Sequence, residues 1–339
     1  MPPRRRGPVC SESNIDLCLT PGTLSVRDAW DVSHPNAQVN RRRPGGAIRL
    51  AEEGEIVLAD ARQPLTQPVV KVKEPQHAHG PGHAVPGAPP IDLSKKNLMV
   101  PFTNDPLRAV DVEQGDIGDC VLPAVLAAMA HTSVGRRKIR KMIRMNKTVM
   151  VRSEWNGKAY VSRGLVTVTF PGRKGQVSIS RLLYREGNRL VYSRSRKKNA
   201  GWVSFIEKAY AVKLGNDYAK LRNIDHGTVF RDLMGKAPEQ VRLRKAEGGP
   251  LVLKSTSHIR RMLKDATRFP TIATTPKGKG GFNTPHGADI GLMANHGLAI
   301  LGMHTKGKVN YALLAIEGSA MAFPYADFLK DIDYVARVK

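Results

Sequence analysis

The rhythm of hydrophobic and polar positions changes twice along the chain. Up to about residue 47 no period of 2 or 3.6 is sustained, and Pro, Arg, Ser and Asn dominate. Such a segment buries too little apolar surface to offset its ordering entropy, so disorder is expected there. Residues 48–73 hold two short alternating stretches, Ile48-Arg49-Leu50 and Glu55-Ile56-Val57-Leu58, which predict a strand or two. Residues 74–90, EPQHAHGPGHAVPGAPP, read as a Pro/Gly linker. A disordered or weakly structured region over 1–90 and a folded domain over 91–339 follow from this pattern.

Within the folded part, Val121 to Met129 is almost wholly apolar and predicts a buried helix. Residues 138–144 alternate charge with Ile139, Met142 and Ile143 at helical spacing, a short amphipathic helix. Alternating stretches at 148–152, 158–160 and 165–170 predict strands. A second clear helix spans Val203 to Leu214, with Phe205, Ile206 and Ala209 on one face and Gly215 as its stop. Another helix near 228–234 precedes a hairpin between about 297 and 316. Helices lead and strands follow, which argues for an α+β fold.

Charge changes the picture of partners but not of fold. Lys and Arg number 54 against 29 Asp and Glu, a formal +25. An excess of that size attracts acidic proteins or nucleic acid. It is concentrated at Arg136–Lys147 and Arg194–Lys198, with further Arg near 240–244. These clusters hold almost no aromatic residues for base stacking, so a solvated helix face is the simpler account. No run of about 18 apolar residues exists to span a membrane, and no apolar stretch follows the basic start, so no cleavable signal peptide is expected. A cytoplasmic location, or export without such a peptide, is the resulting expectation.

Cys10 and Cys18 lie in the irregular N-terminal part, leaving Cys120 as the thiol of the folded region. Few cysteines imply a reducing compartment and no disulfide framework. Cys120 follows Asp111-Val112-Glu113-Gln114-Gly115-Asp116-Ile117-Gly118-Asp119 and runs into the apolar helix. Asp119 suits an N-cap, and Pro123 suits the first helical turn. A thiol at a helix start meets the positive end of the dipole, which favours thiolate. Gln114 is spaced to turn its amide toward the same point and donate to an oxyanion. A buried structural cysteine is the plainer reading of the residue type alone.

The string QGDIGDCVLPAVLAAMA resembles the calpain family's Q-G-x-x-G-D-C segment and the small apolar helix after it. Gly201-Trp202-Val203-Ser204-Phe205-Ile206-Glu207-Lys208-Ala209-Tyr210-Ala211 is similar to that family's W-x-x-L-x-E-K-A-Y-A helix. Leu233-Met234-Gly235-Lys236-Ala237-Pro238-Glu239 resembles its L-T-G-G-x-x-E stretch, and Asn295-His296-Gly297-Leu298-Ala299-Ile300 its H-A-Y-x-V histidine strand. The resemblance implies a papain-like cysteine peptidase core. Its helical first lobe, about 91–225, would carry the Cys helix, and a strand-rich second lobe, about 226–339, the histidine. By the same resemblance Cys120 is the nucleophile, His296 the general base and Gln114 the oxyanion donor, acting on protein substrates.

The third catalytic position and calcium depart from the family pattern. Calpains end the next strand with N-P-W-G; matching on Gly318 puts Ala315 at the Asn position. With Lys306-Gly307 as the hairpin centre, Glu317 instead falls across from His296 and would orient its ring. A solvated strand-end Glu317 is the alternative. Asp111 resembles one calcium ligand of the family. The acidic residue before the helix tryptophan is replaced by Asn199-Ala200-Gly201, and an acidic pair by Val166-Thr167-Val168-Thr169. Hard cations need several oxygens at once, so pairing of Asp111 with a nearby Arg or Lys is expected instead, with no cofactor and no calcium requirement. His77, His79 and His83, without neighbouring Cys or carboxylate ligands, read as weak metal binders at most. A basic binding protein that keeps the fold without turnover is the competing functional reading.

Overall fold

The computed structural model describes residues 69–76, 99–155, 158–186, 189–243, 256–277, 284–290, 292–316 and 318–339. The two stretches expected as strands near 48–58, the three linker histidines and Glu317 lie outside the described residues. The order of elements mixes helices and strands in both halves, an α+β architecture. Among the described residues no helix is long and apolar enough to cross a membrane.

The chain joins the folded domain earlier than its pattern suggests. Val69-Val70-Lys71-Val72-Lys73 forms β1 (Val69–Lys73), paired in parallel with a later strand. Its β-branched alternation is a strand signal that the Pro/Gly segment after it obscures. Glu74, placed in the linker by sequence, is buried, and its side chain forms an ion pair with Lys208, both fully enclosed. Ser180 donates to the same carboxylate, and Lys208 also donates to Ser180 Oγ at 2.9 Å and Leu182 O at 2.7 Å. The Tyr184 hydroxyl donates to Pro75 O at 2.7 Å, and Asn216 Nδ2 to Glu74 O at 2.9 Å. Residues 69–76 therefore pack against the folded part, ahead of the boundary expected at 91.

Lobe one continues with β2 (Val112–Glu113), α1 (Val121–His131), α2 (Ser133–Met142), β3 (Ile143–Trp155), β4 (Lys158–Thr169) and β5 (Gln176–Ser180). Then come β6 (Arg185–Glu186), β7 (Arg189–Leu190), β8 (Arg194–Ser195), α3 (Trp202–Lys213) and α4 (His226–Met234). Beside these helices β1-β3-β4-β5 form a four-stranded sheet, and its β3 and β4 cover the alternating stretches expected at 148–152, 158–160 and 165–170. The amphipathic helix lies earlier than predicted: Thr132 Oγ1 caps it by accepting from Gly135 N, and Ile143 and Arg144 open β3. At α4, Asp225 caps the start and Gly235, at φ 74°, ends it in the left-handed conformation. Asp232 of α4 accepts from Tyr210 Oη at 2.6 Å and Arg173 Nε at 2.6 Å, so α4 packs in lobe one. Helix α4, which follows the lobe boundary expected at about 225, is thus bonded to lobe-one residues.

Lobe two holds β9 (Glu239–Arg242), α5 (Thr256–Lys264), β10 (Thr271–Thr274), α6 (Pro285–Asp289), β11 (Gly297–Lys306), β12 (Val309–Ile316), β13 (Ser319–Pro324), α7 (Tyr325–Asp331) and β14 (Tyr334–Arg337). Six strands order as β13-β12-β11-β10-β14-β9. The pleat of β11 divides two cores. Ala299 and Leu301 face the cluster shared with α1, while Leu298 and Ile300 face the cluster of Ile259, Met262, Leu263 and Phe328. Helix α1 is buried from Leu122 to His131 because it is enclosed by lobe one and by this sheet face at once. At its far end His131 Nε2 bonds Leu301 O at 2.7 Å. The near end of α1 consequently lies where the two lobes meet.

Candidate active site

Cys120 is the N-cap of α1, with φ −43° and ψ −30°. Pro123 sits in the first turn, as the sequence suggested. Asp119 does not cap the helix. Its carboxyl is turned inward, 2% exposed, against the fully buried Glu207 of α3. Burial pushes the Asp119 carboxyl up to about 7. Burial, followed by the charge of Asp119, raises Glu207 well above the carboxylate range. Two carboxyls enclosed together hold at least one proton at neutral pH. Gly115 is required by close approach rather than by a turn, since a Cβ there would meet the Tyr192 backbone at 2.4 Å.

His296 stands just before β11, after Asn295 in the left-handed region at φ 52°. Its backbone is clamped by Thr275. The His296 N–H donates to Thr275 Oγ1 at 2.8 Å, and the Thr275 N–H donates back to His296 O at 3.0 Å. Gly297 lets this strand start press against the Cys helix. A Cβ at Gly297 would lie 3.2 Å from Cys120 O and 3.3 Å from Ala124 Cβ. The Cys120 thiol donates to Asn295 O at 3.6 Å. One cleft is lined by Gln114, Cys120, His296, Ala315 and Gly318, so the predicted nucleophile, base and oxyanion donor come together.

Gln114 Nε2 donates to Ile117 O at 2.7 Å, which fixes its side chain at the cleft rim. A side-chain amide has a second N–H to offer. Among the described residues, no hydrogen bond is made to the imidazole of His296. Burial pushes that ring down to about 4, so it is neutral at pH 7. Burial is also the largest influence on Cys120 and raises the thiol. The Asp119 charge adds to the rise, while backbone N–H groups at Gly297 and Val121 oppose it. Burial thus acts against the thiolate that the helix start was expected to favour.

The hairpin register differs from the expected one. Gly307 and Lys308 form its two-residue turn, and Ala299 pairs with Ala315 after a bulge between Ile300 and Gly302. The displaced turn moves each partner by two residues and the bulge takes one back, a net shift of one residue, which changes the face presented. Glu317 lies outside the described residues, and Ala315 is the described β12 residue that lines the cleft. At the position resembling a calcium ligand, the Asp111 carboxylate pairs with Arg108 Nη2 at 3.0 Å, the basic partner anticipated. Among the described residues no group of three or more His, Cys, Asp or Glu is placed to hold a metal. Of the basic clusters, Arg137, Arg140, Lys141, Arg144 and Lys147 are exposed on α2 and β3, whereas Arg194 is taken up by Glu113. Thr275 and the Asp119–Glu207 contact were missed by sequence reading. Neither carries a local signal, because both depend on chain crossings between distant elements.

The family model for calpain family cysteine proteases matches residues 88–317, well over half of the chain. Human calpain-12 is 28% identical over 204 residues, 60% of this chain and 25% of the relative. The calpain-1 catalytic subunit of Sus scrofa is 28% identical over 149 residues, 43% of this chain and 19% of the relative. A calpain of Schistosoma mansoni is 35% identical over 129 residues, 37% of this chain and 15% of the relative. The chain spans a quarter or less of the length of these relatives. With Gln114, Cys120 and His296 lining one cleft inside the matched region, the chain belongs to the calpain family of cysteine proteases.

Proposed function

We propose that the protein is a cysteine endopeptidase working through a Cys120–His296 dyad. The observation that carries this reading is the convergence of Gln114, Cys120 and His296 on one cleft between two lobes. Because the imidazole is neutral, it acts as a general base. It takes the thiol proton as Sγ attacks the scissile carbonyl carbon. The free N–H of Gln114 donates to the developing oxyanion while the other stays on Ile117 O. The imidazolium returns its proton to the departing amine, leaving a thioester. The same base then activates water, which releases the acid and restores the thiol. Ala315 in the cleft has no side-chain donor or acceptor to orient the imidazole, and the His296 backbone is held by Thr275.

Calcium is not required in this reading. The Asp111 carboxylate is already neutralised by Arg108, and a hard cation needs several oxygen ligands together. The competing reading, a basic binding protein without turnover, draws on an imidazole with no hydrogen bond among the described residues and on the exposed cations of α2 and β3. One experiment separates them. Hydrolysis of an unfolded protein substrate is followed in excess chelator with wild type, Cys120→Ala and His296→Ala. Turnover by wild type alone supports the peptidase. Equal background rates from all three support the binding protein.

A further inference from the structure

A side chain that belongs to none of the expected site residues bridges the lobes beside the cleft. Arg196, following β8, is anchored in lobe one twice. Its backbone N–H donates to Asp111 O at 2.7 Å, and its Nε lies 3.9 Å from Glu113 Oε2. From there the guanidinium crosses to lobe two, where Nη1 donates to the Gly318 carbonyl. The contact is intimate. A Cβ at Gly318 would meet Arg196 Cδ at 2.7 Å and Nε at 2.8 Å. Gly318, in the left-handed region at φ 81°, lines the same cleft as Cys120, His296 and Ala315.

We propose that Arg196 is a positioning residue that ties the β12–β13 corner of lobe two to the Cys120 lobe and so sets the width and alignment of the catalytic cleft. This rests on the peptidase reading for its consequence, though not for its geometry. A guanidinium suits the role because one rigid planar group can face the Glu113 carboxylate as a counter-charge on one side while donating to a carbonyl on the other. Lysine offers a single mobile ammonium and cannot hold both ends. The link acts on the wall that carries His296, which has no side-chain hydrogen bond of its own among the described residues. Losing it leaves Cys120 in place and loosens the opposing wall.

The test uses the full chain with Arg196→Ala and Arg196→Lys. The side chain keeps 38% of its surface exposed, so both variants are expected to fold with melting midpoints near wild type. Amide hydrogen exchange over residues 316–320 should accelerate about tenfold in both, the size expected from one lost charge-assisted bond. The turnover number should fall by about the same factor with KM nearly unchanged. Unchanged exchange over 316–320 would overturn the bridge itself. Faster exchange with an unchanged turnover number would overturn its positioning role. A wild type that shows no turnover at all defeats the peptidase reading, and the exchange result still decides the bridge.

Discussion

The two walls of the cleft are supported very differently. On the lobe-one wall, Cys120 opens a helix that is buried along nearly its whole length, and Gln114 is pinned to Ile117 O. Behind that wall the buried Glu74–Lys208 ion pair fastens β1 to α3. On the lobe-two wall, the His296 backbone is clamped by Thr275, but among the described residues its ring accepts and donates nothing. Where a calpain carries an orienting Asn, this chain has Ala315. The difference teaches that Cys120 is held on several sides, whereas among the described residues no hydrogen bond holds the His296 ring. Changes to the first wall should therefore cost stability or transition-state binding, and changes to the second should alter alignment and proton affinity.

The largest expected effect lies behind the supported wall. Glu74→Ala strands Lys208 without a counter-charge, and breaking one partner of a buried pair typically costs about 3–5 kcal/mol. Chemical denaturation should report a loss of that order. A loss below about 1 kcal/mol would mean that β1 is not part of the cooperative unit. Next, Gln114→Ala removes the proposed oxyanion donor and should lower the turnover number by about 10²–10³-fold with little change in stability. An unchanged turnover number would place the oxyanion elsewhere.

The lobe-two wall is probed by pH. The folded-state pKa of His296 is held near 4, below its ordinary 6.5. The unfolded chain therefore binds more protons between those values. Stability contributed by keeping the ring neutral is complete above pH 6.5 and is lost as pH falls toward 4, by roughly 3.4 kcal/mol at most. Unfolding measured against pH should show a shallower fall in His296→Gln than in wild type. Identical slopes would mean that the ring is solvated. The smallest effect is expected from Ala315→Asn, which restores an orienting amide and should raise the turnover number several-fold, about 1 kcal/mol of alignment. Glu317→Gln should then change little. The reverse pattern would return the orienting role to Glu317.

Much of this contrast was legible in the sequence, and its limits have physical causes. The apolar run at 121–129 specified α1, and the residues flanking Trp202 specified α3, because burial on all sides leaves an unmistakable composition. Gln114, Cys120 and His296 were recognisable by motif. The hairpin was found, but its register was missed. The bulge near Leu301 and a turn displaced by one residue leave the alternation almost unchanged while altering every pairing. Strand β1 was hidden by the Pro/Gly segment after it, and the buried role of Glu74 becomes visible only when Lys208 is placed opposite. The burial that opposes the thiolate expected at a helix start is a property of the assembled lobes, which no local stretch of sequence displays.

The central claim is that Cys120 is a nucleophile poised in a peptide-binding cleft. Incubation with a peptidyl epoxide, followed by intact mass and peptide mapping, tests it most directly. The account predicts a single adduct on Cys120 in wild type, none on Cys10 or Cys18, none in Cys120→Ala, and much slower labelling in His296→Ala. Labelling spread over all three cysteines, or labelling of Cys120 that is indifferent to His296, would contradict it.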